Sequence, residues 1–214
     1  MTPSMTTFFC LPFHLKRSTM LARQARPLLR CCRNMSTTVV NHYAQNDEVL
    51  PRILAGFASK GQTIESVTTE DLSAVDEFHI GGAPAALALF KQLNIQSHHA
   101  VLDVGCGLGG PARVCAVEHG CRVTGVDITP EYISAGNTLS SWPSVALQGR
   151  VSLVVGDMAT ISTTGVSDGA FDAGYMIHVG MVIFVQFVLC RCLQKFALLL
   201  SKFTASILLG LEYS

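Results

Sequence analysis

Between Val101 and Gly110 the chain reads VLDVGCGLGG. An apolar run there leads directly into glycines, and of all segments this one is best equipped to hold a ligand. Gly105, Gly107, Gly109 and Gly110 permit a tight positive-φ turn and leave no Cβ between backbone and ligand. Gly105, Gly107 and Gly110 also satisfy the GxGxxG pattern of dinucleotide sites, and Asp127 closes the next apolar run, VTGVD, where a ribose-binding acid is needed. The glycines alone therefore indicate a nucleoside ligand, with NAD among the candidates.

Asp103 narrows the choice. It is an ionisable group two residues before the first glycine, flanked by Val101, Leu102 and Val104. Burying a carboxylate there costs several kcal/mol unless a cation or several donors meet it. A pyrophosphate would add like charge to that spot. S-adenosylmethionine has no phosphate and brings an ammonium and a sulfonium, so an acidic strand end beneath a glycine loop suits it and disfavours NAD. A second role for Asp103, accepting backbone N–H groups from the turn, is compatible with the first.

The elements that must position these groups follow from pattern. Short apolar runs alternate with helical segments: strand HAVLDVG, helix GPARVCAVEHG, strand RVTGVDI, helix PEYISAGNTLSS, strand VSLVVGD, a polar turn, and strand FDAGYMIHV. Such alternation predicts an α/β fold, a Rossmann-like parallel sheet with helices on both faces. Ahead of it, EVLPRILAGFASK has helical periodicity, Thr68 followed by Asp71 reads as a capping box, and APAALALFKQL forms another helix ending near Asn94. These make a helical preface. The expected organisation is a targeting or disordered segment over 1–40, the preface over 41–98, the Rossmann-like core over 99–181 and an atypical apolar tail over 182–214.

Three motifs in register carry a family resemblance: Asp103-x-Gly105-x-Gly107-x-Gly109, then Asp127 in VTGVD, then Gly156-Asp157-Met158 closing the third strand. The set resembles that of class I S-adenosylmethionine-dependent methyltransferases. The wider stretch VDEFHIGG, VLDVGCGLGGPARVCAVEHGCRVTGVDIT and FDAGYMIHVGM is similar to the small-molecule branch that includes glycine-betaine-pathway and ubiquinone/menaquinone-type enzymes. It covers about Asn41 to Met181. The resemblance implies that Gly105, Gly107 and Gly109 pass under the methionine part of the cofactor and that Asp103 favours its ammonium through the loop or a water. It further implies that Asp127 accepts both ribose hydroxyls, Ile128 packs on the adenine, Asp157 accepts from the adenine amino group and Met158 contacts the ring. Asp127 and Asp157 close adjacent parallel strands, where open α/β sheets bind ligands.

The catalysis implied is methyl transfer to a small-molecule acceptor. The leaving group departs neutral, so acceleration comes largely from alignment in a dry pocket. His178, at the end of FDAGYMIHV, and His79, in DEFH, are the imidazoles nearest the expected acceptor side. His178 is the candidate catalytic residue. Plain backbone-satisfied histidines are the alternative for both.

The remaining features set bounds. The 15 basic and 15 acidic residues cancel, which gives no electrostatic reason to expect a nucleic-acid partner. The eight cysteines include no CxxC pair and no histidine cluster at ligand spacing, so no metal site is expected and free thiols fit better than disulfides. After Met181 the similarity is expected to stop. The tail VIFVQFVLCRCLQKFALLLSKFTASILLGLEYS has no Asp or Pro, and its uncharged start, Val179 to Cys190, is shorter than the ~20 residues that span a bilayer. No transmembrane span is expected; a partner or a membrane surface is the candidate cover for this tail. The plainest account is an altered reading of the gene that replaces the carboxyl-terminal strands and leaves an apolar edge at the fourth strand. On that account the product either remains a methyltransferase or binds adenosylmethionine without catalysis.

No Asp or Glu precedes Asp47, while Lys16, Arg17, Arg23, Arg26, Arg30 and Arg33 all do, and Lys16, Arg23, Arg26, Arg30 and Arg33 share a helical face. That composition predicts a mitochondrial transit peptide, with cytoplasmic or plastid location as the alternatives. Residues 1–40 fused to a fluorescent reporter are expected to direct it to mitochondria; a diffuse cytosolic signal would refute the address.

Overall fold

Four apolar runs with few polar interruptions become the parallel heart of a sheet in the computed structural model of the chain. The structure describes residues 8–10, 49–77, 79, 81–157, 167, 169–177 and 208–210. In chain order the elements are β1 (Phe8–Cys10), α1 (Val49–Ala58), α2 (Thr69–Asp76), α3 (Gly82–Leu93), β2 (Ala100–Val104), α4 (Gly110–His119), β3 (Arg122–Asp127), α5 (Pro130–Ser141), β4 (Val151–Val155), β5 (Ala173–Ile177) and β6 (Leu208–Gly210).

The sheet order is β1-β6-β5-β2-β3-β4. β2 pairs in parallel with β3 on one side (Asp103 opposite Gly125) and with β5 on the other (Asp103 opposite Tyr175). The chain order therefore reverses at β2, and a switch point of this kind opens a crevice beyond the carboxyl ends of the strands. The glycine loop leaves β2 at that crevice. This is the Rossmann-like α/β fold expected from the alternation of strands and helices.

The terminal segments depart from expectation. The edge of the fourth expected strand, β5, does not stay open: β6 pairs with it in parallel at Met176 opposite Leu209 and Ile177 opposite Gly210, and β1 pairs antiparallel with β6. Three residues from each terminal segment thus supply the backbone partners that β5 would otherwise lack. The rest of segments 1–40 and 182–214 lies outside the described residues. No helix among the described residues is long and apolar enough to cross a membrane.

The preface is welded to the core. Ile53 and Phe57 of α1, Leu72 of α2 and Phe90 of α3 belong to the same buried cluster as Val101, Cys115, Leu139, Leu153 and Tyr175. Phe57 meets Trp142 edge-on at 6.2 Å, and Phe90 packs on Tyr175 at 4.9 Å between ring centres. α2 starts at the expected capping box, with Thr68 N–H donating to Asp71 Oδ2 at 2.8 Å and Asp71 N–H donating to Thr68 Oγ1 at 3.2 Å. Asn94, in the left-handed region, caps α3. The three described cysteines, Cys106, Cys115 and Cys121, are free and buried.

One close approach fixes α5 against the loop. A Cβ on Gly136 would lie 2.5 Å from the Leu108 carbonyl oxygen and 2.5 Å from Leu153 Cδ1. The carbonyl belongs to the glycine loop and cannot retreat as a side-chain tip can. Gly136→Ala is therefore expected to destabilise the fold by about 1–3 kcal/mol, read as a lower midpoint in urea; an unchanged midpoint would show that the loop yields.

Candidate functional site

The loop after β2 is built by hydrogen bonds to β3. Gly105 N–H donates to the Val126 carbonyl at 2.7 Å and Cys106 N–H to the same oxygen at 3.2 Å. Gly107 N–H donates to Asp127 Oδ2 at 2.9 Å, while Thr129 N–H donates to Asp127 Oδ1 at 2.9 Å. Each Asp127 oxygen thus spends one acceptor site on the backbone and keeps a second for a ligand. The sequence assigned Asp127 only to the ligand; its carboxylate also ties β3 to the glycine loop.

Gly109 shows why the loop tolerates no side chain. Its φ is 81°, and a Cβ there would meet Leu153 Cδ1 at 2.8 Å. Nothing lies within 4 Å of a Cβ built on Gly107, whose φ is 53°. The loop is closed on its sheet side and has open space at Gly107, as a cradle for a ligand must.

Asp103 lies beneath the loop and is 2% exposed. Burial pushes its carboxyl up to about 8, the Asp127 charge pushes it further, and the neighbouring Tyr175 hydroxyl pulls it back. Its Oδ2 has no hydrogen-bond partner among the described residues. An orphaned acid in a dry strand end fits a cationic ligand and opposes a pyrophosphate, which agrees with the reasoning from sequence.

The other expected residues divide. Ile128, half-buried, follows β3, and Asp157, half-buried, follows β4. Gly156 N–H donates to the Asp127 carbonyl at 2.8 Å, which joins the ends of the two strands and brings Asp127 and Asp157 to one rim. Met158 and His178 lie outside the described residues. His79 stands on the connection between α2 and α3, its Nε2 3.6 Å from Glu77 Oε2.

Sequence reasoning missed a buried ion pair. Arg113 of α4 is fully buried; its Nη2 donates to Asp76 Oδ2 of α2 and, at 2.7 Å, to the Leu108 carbonyl of the loop. Its Nη1 donates to the Gly136 carbonyl at 3.2 Å and to Ser140 Oγ at 3.0 Å, both on α5. A signal was available in GPARVCAVEH: the helix shows no polar stripe wide enough to hold an arginine in water, and Arg113 stands between Ala112 and Val114.

A Rossmann-like sheet with a glycine loop at its switch point and acids closing β2, β3 and β4 defines a nucleoside-binding domain of the methyltransferase type. Residues 101–202 match the sequence family described as "Methyltransferase domain". The chain thus carries a class I S-adenosylmethionine-dependent methyltransferase domain. The match runs past Met181, where the similarity was expected to stop.

Among curated proteins, the chain is 31% identical over 122 residues to the 2-methyl-6-phytyl-1,4-hydroquinone methyltransferase of Synechocystis, covering 49% of this chain and 36% of that one. It is 39% identical over 90 residues to the sterol 24-C-methyltransferase of Eremothecium gossypii, covering 42% of this chain and 23% of that one. The chain therefore spans well under two thirds of these relatives. Among solved structures, a candidate S-adenosyl-L-methionine-dependent methyltransferase of Methanococcus maripaludis shares the fold, with a TM-score of 0.53, 16% identity, and coverage of 66% of this chain and 58% of that one.

The buried acid makes a pH prediction. Asp103 is raised in the folded state, so between the ordinary carboxylate range and about pH 8 the folded chain holds a proton that the unfolded chain has lost. Its contribution to stability is full at low pH and declines as pH rises through that window. Asp103→Asn is expected to flatten the fall in urea midpoint between pH 5 and pH 9 and to be more stable than the parent at pH 9. Parallel profiles would refute the assignment.

Proposed function

We propose that this chain is the cofactor-binding part of an S-adenosylmethionine-dependent methyltransferase acting on a small-molecule acceptor. The observation that carries the reading is the acidic, phosphate-averse glycine loop, with Asp103 buried below it and Asp127 on its rim. The match over 101–202 and the names of the curated relatives, which methylate a hydroquinone and a sterol, support it.

In this reading the donor supplies a methyl group on a sulfonium, which leaves a neutral thioether. Gly105, Gly107 and Gly109 line the cradle for the methionine part. Asp127, its orientation fixed by two backbone donors, offers its remaining acceptor sites to the ribose hydroxyls. Asp157 takes the adenine amino group, and Ile128 and Met158 flank the ring. His178 is assigned to the acceptor side. The chain's main work is to orient the reactants and exclude water.

Titration calorimetry tests the reading. S-adenosylhomocysteine is expected to bind and NADH is not, and Asp127→Asn should weaken S-adenosylhomocysteine about ten- to a hundredfold through loss of charge-assisted hydrogen bonds. Preferential NADH binding would overturn the assignment. S-adenosylhomocysteine binding without methyl transfer in the complete enzyme would leave a binding protein in place of a catalyst.

A further inference from the structure

The turn that leaves α2 holds a second buried acid. Glu77 follows Asp76, and its side chain is 1% exposed, with His79 at 5%. Neither Glu77 oxygen makes a hydrogen bond of good geometry among the described residues. The nearest cationic group is His79, whose Nε2 stands 3.6 Å from Glu77 Oε2, beyond the ~2.7–2.9 Å of a charge-assisted hydrogen bond. Arg113 does not meet Glu77, because its guanidinium is engaged by Asp76, Leu108, Gly136 and Ser140.

The turn adjoins the ligand loop. A Cβ on Gly110, the first residue of α4, would lie 2.7 Å from the Asp76 carbonyl oxygen, so the Asp76–Glu77 peptide rests on the loop's exit. Glu77 Oε2 lies 3.4 Å from the place of a Cβ on Gly82, at the start of α3. A carboxylate this dry, without donors, costs several kcal/mol until a cation reaches it. Asp127 and Asp157 gather at the ends of β3 and β4 and are assigned to the nucleoside, while Asp103 is sealed under the loop.

We propose that the buried Glu77–His79 pair receives the amino-acid end of the adenosylmethionine-type ligand, with the Glu77 carboxylate taking its ammonium. The inference rests on the functional reading above and deepens it, transferring to Glu77 the contact that the resemblance implies for Asp103. Glu77 is set up to gain from such a partner: burial and the Asp76 charge push its carboxyl up to about 7, with Ser73 and Arg113 pulling the other way. The groups facing it are Ser73 and Asp76 of α2, Arg113 of α4 and His79 of the connection. Cation binding holds the acid ionised, so affinity rises as pH passes from 6 to 8.

The test compares two probes that share the nucleoside. S-adenosylhomocysteine carries the amino-acid end; 5′-methylthioadenosine lacks it. In calorimetry on the full chain, Glu77→Gln is expected to weaken S-adenosylhomocysteine about ten- to a hundredfold and to leave 5′-methylthioadenosine within about twofold, which also shows that the variant is folded. The rise in S-adenosylhomocysteine affinity between pH 6 and pH 8 should shrink in Glu77→Gln relative to the parent, and this difference separates Glu77 from Asp103, which titrates in both proteins. Glu77→Asp, which keeps the charge, should recover part of the loss. Equal losses for both probes would assign Glu77 a purely structural role, and no loss for either would remove it from the site; both results overturn the proposal. A parent chain that binds neither probe would instead defeat the functional reading itself.

Discussion

The site depends on one guanidinium. Arg113 is fully buried and joins three parts of the chain: Asp76 at the end of α2, the Leu108 carbonyl inside the glycine loop, and the Gly136 carbonyl and Ser140 hydroxyl on α5. A buried charge survives only if paired and hydrogen-bonded, and no two of these parts alone satisfy the planar fork. Burial pushes the Asp76 carboxyl up while the Arg113 charge pulls it down, so the pair holds its ionised form through mutual contact. The loop that receives the ligand is thereby shaped from outside the sheet as well as by its own glycines. Gly110 and Gly136 have the same logic: side chains there would strike Asp76 and the Leu108 carbonyl, the very groups that Arg113 draws together.

Around this pin the site concentrates negative charge in dry surroundings. Asp103 lies under the loop, Asp127 on its rim and Glu77 at its exit, and two of the three, Asp103 and Glu77, are raised by burial before any ligand arrives. Desolvation of this kind stores a preference for cations that a surface acid lacks, because water already satisfies a surface acid. The glycine pattern leaves NAD and adenosylmethionine equally acceptable. The low dielectric beneath the loop, more than the loop's shape, separates them.

The parts legible in the sequence were those with local causes. The strand and helix alternation, the Thr68–Asp71 capping box, the Asn94 stop and the position of Asp103 each arise from residues within a few positions of one another. What escaped depends on distant partners. Asp76 and Arg113 stand 37 residues apart, and Glu77 gains its character only when α3 and α4 close over it. β1 and β6 are three residues long, too short to show a period, and take their strand form from pairing with each other and with β5. Asp127 was legible as an acid at a strand end; its bond to Gly107 N–H was not, since it requires the β2–β3 register.

The preface therefore belongs to the chemistry as much as to the packing. Phe90 of α3 lies against Tyr175 of β5, whose hydroxyl neighbours Asp103, so a preface ring covers the acid beneath the loop. Leu72 and Asp76, on the same short helix α2, serve separately: the first enters the shared core and the second holds Arg113. Remove α2 and α3, and water reaches Asp103, Arg113 loses its carboxylate and Glu77 has no enclosure. The sheet supplies the crevice, as in any open α/β fold. The selectivity for a cationic nucleoside over a phosphate-bearing one comes from the helices that keep that crevice's acids dry.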